Sequence, residues 1–522
     1  MHPYQHARTH PDKPALVIAD TGEMLTYGQL DPASNRGAQL FRKLGLKPGD
    51  VVAVMLKNVV DFPIAYWSSQ RSGLMMTPIS TVLKPAEAAY IVGDCGAKVL
   101  ITGADVGETA RVLAAAHAEL IPGVRVFYAG AAPLEGAESW SAALAEMPTA
   151  PIADEVSGFY LPYSGGTTGR PKGIRVPFTP GPIDVEVEME LNSLRRQEGL
   201  DPYVSFNGAP LYHAAPLFSM ITTIRFGGTA VVLSRFDAEN TLKAIQDWKV
   251  CYAQMVPTMF VRLLALPEAV RNRYDLSQLK KIVHAAAPCP VAVKQRMLDW
   301  LGPIVDEYYS GSEAIGQCYI TAEEWLRKPG SVGRASWGQI HIAGEDGAEA
   351  APGQEGLIYF EGVKVVEYRN DPEKSAKARH PDHPTWSTLG DIGYLDADGY
   401  LFLCDRKDHM IIRGGVNIYP QAIENELLEH PKVADAAVIG VPHAELGEEV
   451  KAVVLLKDPA DATEATAADI LAFIKQRVSS VSRPRSVDFV DELPRLPTGK
   501  LAKHELRRKY WEGAAPVAAV RS

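Results

Sequence analysis

Cysteine is scarce in this chain: Cys95, Cys251, Cys289, Cys318 and Cys404 are widely scattered and form no CxxC pair. A disulfide framework and a thiolate zinc site are thereby disfavoured, and reduced thiols in a cytoplasmic protein are expected. An excess of basic residues is also missing. The net charge of −10 argues against a nucleic-acid surface, which needs a basic patch, although a local loop can bind a nucleotide whatever the global charge. No apolar run reads as a bilayer helix. One long stretch without Asp, Glu, Lys or Arg, Tyr203 to Ile224, contains Asn207, Gly208, Pro210, His213 and Pro216, and reads as a pocket wall. The opening residues, Met1 to Arg8, lack the apolar core of a signal peptide. A cytoplasmic location with no transmembrane segment is expected, with peripheral membrane contact left open. Internal repeats are absent, and compositional bias is confined to the alanines around Ala114 to Ala118.

What is present suits a globular protein: 46% apolar and 22% charged residues. A chain of 522 residues exceeds one compact core, and about three domains or subdomains are expected. Ala15–Ile18 and Met24–Thr26 flank Asp20-Thr21-Gly22 and predict a hairpin. Pro32 to Leu44 predicts a helix with Pro32 in its first turn and Gly45 ending it. Val51 to Leu56, Lys98 to Ile101, Thr229 to Leu233 and Lys281 to Val283 are short apolar runs separated by helical segments. That alternation predicts an α/β fold of layered, largely parallel sheets with helices. From Gly356 the pattern turns β-rich. After Arg413-Gly414-Gly415 a new unit follows, with a helix at Pro420–Leu428, strands at Ala436–Val441 and Lys451–Leu456, and a helix at Ala467–Val478. The division is placed at Asp408, into residues 1–407 and 408–522, and the last ten residues are expected to fray.

Tyr163 to Gly173 reads Tyr-Ser-Gly-Gly-Thr-Thr-Gly-Arg-Pro-Lys-Gly. Its glycines let the backbone approach a ligand closely. The hydroxyls of Thr167 and Thr168 can donate to phosphate oxygens, and Lys172 adds a point charge. The order differs from the P-loop, whose Gly-Lys-Ser/Thr opens a helix. It resembles instead the phosphate loop of the adenylate-forming enzymes, in their acyl-CoA synthetase and fatty-acid–CoA ligase branch.

Further motifs carry that resemblance from about residue 10 to Leu506. Tyr309-Ser310-Gly311-Ser312-Glu313 is similar to the family's Tyr-Gly-x-Thr-Glu, with Ser310 in place of glycine and Ser312 in place of threonine. The resemblance implies that Glu313 holds Mg²⁺ against ATP, since a hard cation bridging phosphates takes carboxylate oxygen. It also implies that Ser312 bonds the α-phosphate and Tyr309 stacks on adenine. Ser164, Gly165, Gly166, Thr167, Thr168, Gly169 and Lys172 would cradle the phosphates, and Ala286 and Ala287 would line the adenine site. Asp391, after Leu389-Gly390, would accept the ribose hydroxyls with help from Arg406. Asp408 falls at the family's hinge. Lys500, in Pro497-Thr498-Gly499-Lys500, matches the C-terminal catalytic lysine, and Gly414 and Gly415 match the loop lining the coenzyme A tunnel. His213 stands where the acyl pocket is gated, and Gly311, Ala314 and Gly316 leave little bulk at the expected pocket floor.

The implied architecture is a large N-terminal domain with a small β-barrel-like subdomain, and a small mobile α+β C-terminal domain. The implied activity is ATP-dependent acyl-CoA ligation with ATP, Mg²⁺ and coenzyme A. No acidic residue occurs from Val204 to Gly228, where an amino-acid substrate would need one, so a hydrophobic acid (fatty, aryl or polycyclic) is expected. Transfer to a carrier protein, or a catalytically silent module of the same fold, are the alternatives. A homodimer is compatible with the sequence, and residues 175–202 match no motif.

Overall fold

The computed structural model of the protein describes residues 1–164, 171–175, 179–184, 200, 203–495 and 501–512. The hairpin Pro14–Ile18/Glu23–Thr26 forms where expected. The helix that follows starts earlier than Pro32, at Tyr27. Thr26 and Gln29 cap it reciprocally, Gln29 N donating to Thr26 Oγ1 at 3.2 Å and Thr26 N to Gln29 Oε1 at 2.9 Å. A capping box outweighs proline as a start signal, and Pro32 is accommodated in the second turn. The helix ends at Lys43, with Gly45 in the left-handed region just beyond it.

The Val51–Met55 strand is buried along its whole length because it is central, with parallel neighbours Met75–Pro78 and Ala97–Gly103. Each such buried Val or Met contributes roughly 2 kcal/mol of hydrophobic stabilisation. It belongs to a six-stranded sheet in which every pairing is parallel. A second sheet of thirteen strands has a parallel centre, formed by Pro14–Ile18, Thr229–Val232, Val204–Asn207, Tyr252–Met255, Lys281–His284 and the first half of Val305–Ser310. It then continues antiparallel through Gln317–Ile320, Ser331–Trp337, Leu401–Arg406, Asp391–Leu395, Gly356–Glu361 and Gln339–Ala343. The β-rich pattern read after Gly356 is this antiparallel part.

The uncharged stretch from Tyr203 has a physical origin that differs in part from a pocket wall. Its helix, Ala214–Arg225, buries Leu217, Met220, Ile221 and Ile224 in the same apolar core as Leu16, Val54 and Trp67. Charge is excluded there by the core. Only the preceding turn and the start of the helix reach the cleft described below.

After Arg406 a single 3-10 turn, Lys407–His409, leads into a separate small sheet. Val433–His443 and Gly447–Leu456 form its long antiparallel pair, edged by Ile411–Arg413, Val416–Ile418 and Ser486–Phe489. Successive strand residues face opposite sides. Val438, Val450 and Val454 therefore pack with Ile423, Leu427 and Ile470 of the helices Pro420–Leu428 and Glu464–Lys475. Ala437, Ile439 and Val453 pack with Leu506 of the helix Lys503–Trp511 on the other face. Among the described residues no helix is long and apolar enough to cross a membrane.

Candidate active site

In a parallel sheet the carboxyl ends of the strands point into the crevice where ligands bind. Here they deliver His213, Ala286, Ala287, Tyr309 and Glu313 to one cleft of about 2800 Å³, which Asp391 and Arg406 enter from the antiparallel part of the sheet.

Tyr309 and Asp391 are brought together directly. The Tyr309 hydroxyl donates to Asp391 Oδ2 at 2.6 Å, and Arg406 Nε lies 2.9 Å from Oδ1. Burial, reinforced by Asp391, pushes the Tyr309 phenol well above its usual range, so it stays a donor. Asp391 and Arg406 meet because their strands pair in register. Both carboxylate oxygens of Asp391 are thus oriented, with lone pairs left over for further donors.

Glu313 lies within a tight turn in which the Ser310 hydroxyl donates to the Gly316 carbonyl at 2.7 Å. The serine at the usual glycine position therefore closes its own loop. Ala314 is held at φ 49° within it. Glu313 Oε1 accepts from the Tyr368 hydroxyl at 3.0 Å, and Oε2 lies over Gly311, where a Cβ would sit 2.6 Å from it. Burial pulls the nearby Lys374 ammonium below its ordinary range, with Glu313 pulling it back. The donor set suits Mg²⁺, which is commonly held by one or two carboxylates together with substrate phosphates. Among the described residues no cluster of three His, Cys, Asp or Glu offers an all-protein cage.

Lys172 belongs to a short strand pair, Tyr163–Ser164 with Lys172–Gly173, and its ammonium sits 2.5 Å from Asp371 Oδ2. Gly165, Gly166, Thr167, Thr168, Gly169 and Lys500 lie outside the described residues, as does the side chain of Ser164. Ala286, at φ 75°, and Ala287 face the cleft just after the strand Lys281–His284. Ser312 is exposed on the cleft wall. His213 sits at the N-terminus of its helix with its ring 4.6 Å from that of Tyr212.

Two expectations change. Gly316 does not line the cleft: a Cβ there would lie 2.1 Å from Phe360 Cδ1, so the glycine makes room for a core ring. Gly414 and Gly415 occupy the left-handed tip of the hairpin Ile411–Ile418, and neither lines the cleft in this arrangement. The exposed Asp408 lies in the turn between the two sheets.

Sequence reasoning passed over several groups. The buried Glu307 carboxylate lies 2.8 Å from Lys294 Nζ and 3.3 Å from Nε2 of His284, the last strand residue before the alanine turn. Asp405 accepts from the Gln421 amide at 2.8 Å, and Lys503 pairs with Glu424 at 2.7 Å, linking the small sheet's helices to the strand before the turn. Asp371 had a readable signal, since an acid directly before Pro372 marks a helix start.

The AMP-binding enzyme family matches residues 4–367, and the AMP-binding enzyme C-terminal domain matches residues 422–500. The chain is 33% identical to a feruloyl-CoA synthase of an Amycolatopsis species, covering 97% of this chain and 98% of the relative. It is 30% identical to a long-chain-fatty-acid–CoA ligase of Mycobacterium tuberculosis, covering 97% of each. Among solved structures, o-succinylbenzoate CoA synthetase of Bacillus subtilis, bound to its acyl-adenylate, superposes with a TM-score of 0.80 at 25% identity, covering 99% of this chain and 98% of that one. The chain belongs to the AMP-binding enzyme family.

Proposed function

We propose that the protein is an AMP-forming acid–thiol ligase that converts a hydrophobic carboxylic acid to its acyl-CoA thioester. The observation that carries this reading is the convergence of Tyr309, Asp391 and Arg406 beside Glu313 in one cleft. It provides hydroxyl-binding and metal-binding carboxylates where a nucleotide would lie.

In the first step a carboxylate oxygen of the acid attacks the α-phosphorus of ATP, forming the acyl–phosphate bond and expelling pyrophosphate. Asp391 accepts from the ribose hydroxyls while Tyr309 and Arg406 hold its orientation. Ala286 and Ala287 present backbone to the purine, and Ser312 bonds the α-phosphate. Mg²⁺ on Glu313 would neutralise charge on the phosphates when bound. Lys172 and the hydroxyls of Thr167 and Thr168 hold the phosphates, and Lys500 bridges the carboxylate and α-phosphate as negative charge builds between them. In the second step the coenzyme A thiol attacks the acyl carbon, loses its proton, and AMP leaves. Both steps depend on positioning and preorganised charge more than on a protein nucleophile.

Residues 408–522 act as the mobile unit, turning at Asp408. That rotation carries Lys500 away and brings Gly414 and Gly415 to the cleft for the second step. The glycine loop does not line the cleft in the present arrangement, which supports a requirement for such a motion. Tyr212, His213, Pro216 and Phe218, none of them Asp, Glu, Lys or Arg, line the cleft and favour an acid with an apolar body. The test is mass spectrometry of products from ATP, a carboxylic acid library and either coenzyme A or a carrier protein. Acyl-CoA from hydrophobic acids supports the reading. Acylation of the carrier alone would move the protein to the carrier-loading class, and no product with any acid would mark a silent module.

A further inference from the structure

The strand pair bearing Lys172 joins only two residues to two, Lys172 opposite Ser164 and Gly173 opposite Tyr163. So short a ribbon has no stability of its own and must be held from outside. The holding groups come from two distant parts of the chain. On one side the segment 367–371 runs alongside: Arg369 N donates to Gly173 O at 2.8 Å, and Arg175 N to Glu367 O at 2.8 Å. The second part is Asp94, in the last turn of the helix Pro85–Cys95.

Asp94 joins these parts. Its Oδ2 accepts from the Tyr163 hydroxyl at 2.6 Å, and its Oδ1 accepts from Asn370 Nδ2 at 3.1 Å. Its backbone carbonyl accepts from Arg369 Nε at 2.9 Å. Asn370 is held in the left-handed region at φ 54°, turning the chain so that Asp371 caps the next helix with Oδ1 and meets Lys172 with Oδ2. Gly173 lies flat beneath Tyr163: a Cβ there would be 2.9 Å from Cζ and 3.0 Å from the hydroxyl oxygen. An acid at a helix C-terminus is opposed by the helix dipole, and no basic residue occupies that last turn to offset it. Its place is explained by the bonds it makes across the hairpin.

We propose that Asp94 is a positioning residue for ATP: it clamps Tyr163 to the Asn370 turn and thereby fixes the hairpin that presents Lys172. This rests on the reading of the cleft as an ATP site. Asp94 itself touches no reacting atom.

The experiment measures acid-dependent ATP–pyrophosphate exchange for the wild type, Asp94→Ala, Tyr163→Phe and the double variant. The second half-reaction, from synthetic acyl-AMP and coenzyme A, is measured beside it. Asp94→Ala is expected to raise the KM for ATP about tenfold, with the KM for the acid and the acyl-AMP reaction within about twofold of wild type. Tyr163→Phe, which preserves shape, should raise the ATP KM in the same direction. The double variant should be no worse than Asp94→Ala alone, because the two residues form one contact. An unchanged ATP KM in both single variants, additive effects in the double, or equal slowing of both half-reactions would overturn the clamp. A wild type inactive in exchange with every acid would instead overturn the functional reading.

Discussion

Removing the buried cation that pairs with Glu307 should destabilise the large unit in a way that acid partly reverses. Lys294 is fully buried on the helix Val291–Leu301, with its ammonium 2.8 Å from Glu307 Oε2 and 4.9 Å from the centre of the Trp325 ring. Burial alone would push the Glu307 carboxyl up, but His284 and Lys294 outweigh it and hold it at about 2. Burial pulls the His284 imidazole below its ordinary range, so it is neutral at pH 7 and Lys294 is the balancing charge. Lys294→Met keeps the apolar stem and leaves the carboxylate buried without its cation. Breaking a buried pair from one side costs about 3–5 kcal/mol. For a cooperative unit of roughly 400 residues that lowers Tm by about 4–6 °C. The pH dependence follows from the sign of each shift. In the wild type the depressed carboxyl contributes stability above its unfolded value of 4.5, and that contribution is lost as pH falls toward about 2. In Lys294→Met the Glu307–His284 pair, 3.3 Å apart, takes up a proton on folding, so the deficit is largest at neutral pH and shrinks on acidification. Calorimetric melting near neutral pH and at about pH 5 measures both. A Tm within about 1 °C of wild type at neutral pH, or a deficit that grows with acid, would refute the reasoning.

Two further outcomes concern the proposed two-step cycle. Lys500→Ala should slow adenylate formation by roughly 100-fold or more, the scale of losing one preorganised donor. Conversion of synthetic acyl-AMP to acyl-CoA should stay near normal, and normal pyrophosphate exchange in this variant would exclude the role. Asp408→Pro restricts φ in the turn between the two sheets and should impair thioester formation more than adenylate formation. Equal loss of both steps would place the hinge elsewhere.

Much of the framework was legible in the sequence because it depends on local pattern. Val51–Met55 is uniformly apolar and proves buried on both faces, and Pro420 begins its helix where read. Thr26 was overlooked in favour of Pro32, although Gln29 three residues on completes a capping box. Other features depend on contacts between distant residues. Asp94 meets Asn370, 276 positions away, and nothing near either residue announces the bond. Ala286 and Ala314 adopt left-handed conformations that alanine does not advertise. Gly316 looked like space for a substrate because small residues mark any close approach, and only packing shows that Phe360 fills it.

The central claim is that an acid is activated as an adenylate, and the exchange of labelled pyrophosphate into ATP tests it most directly. The account predicts exchange that requires a carboxylic acid, proceeds without coenzyme A, and has a far higher kcat/KM for a medium-chain or aryl acid than for acetate. Exchange that is independent of the acid, or ATP consumption that yields ADP and phosphate in place of AMP and pyrophosphate, would contradict it.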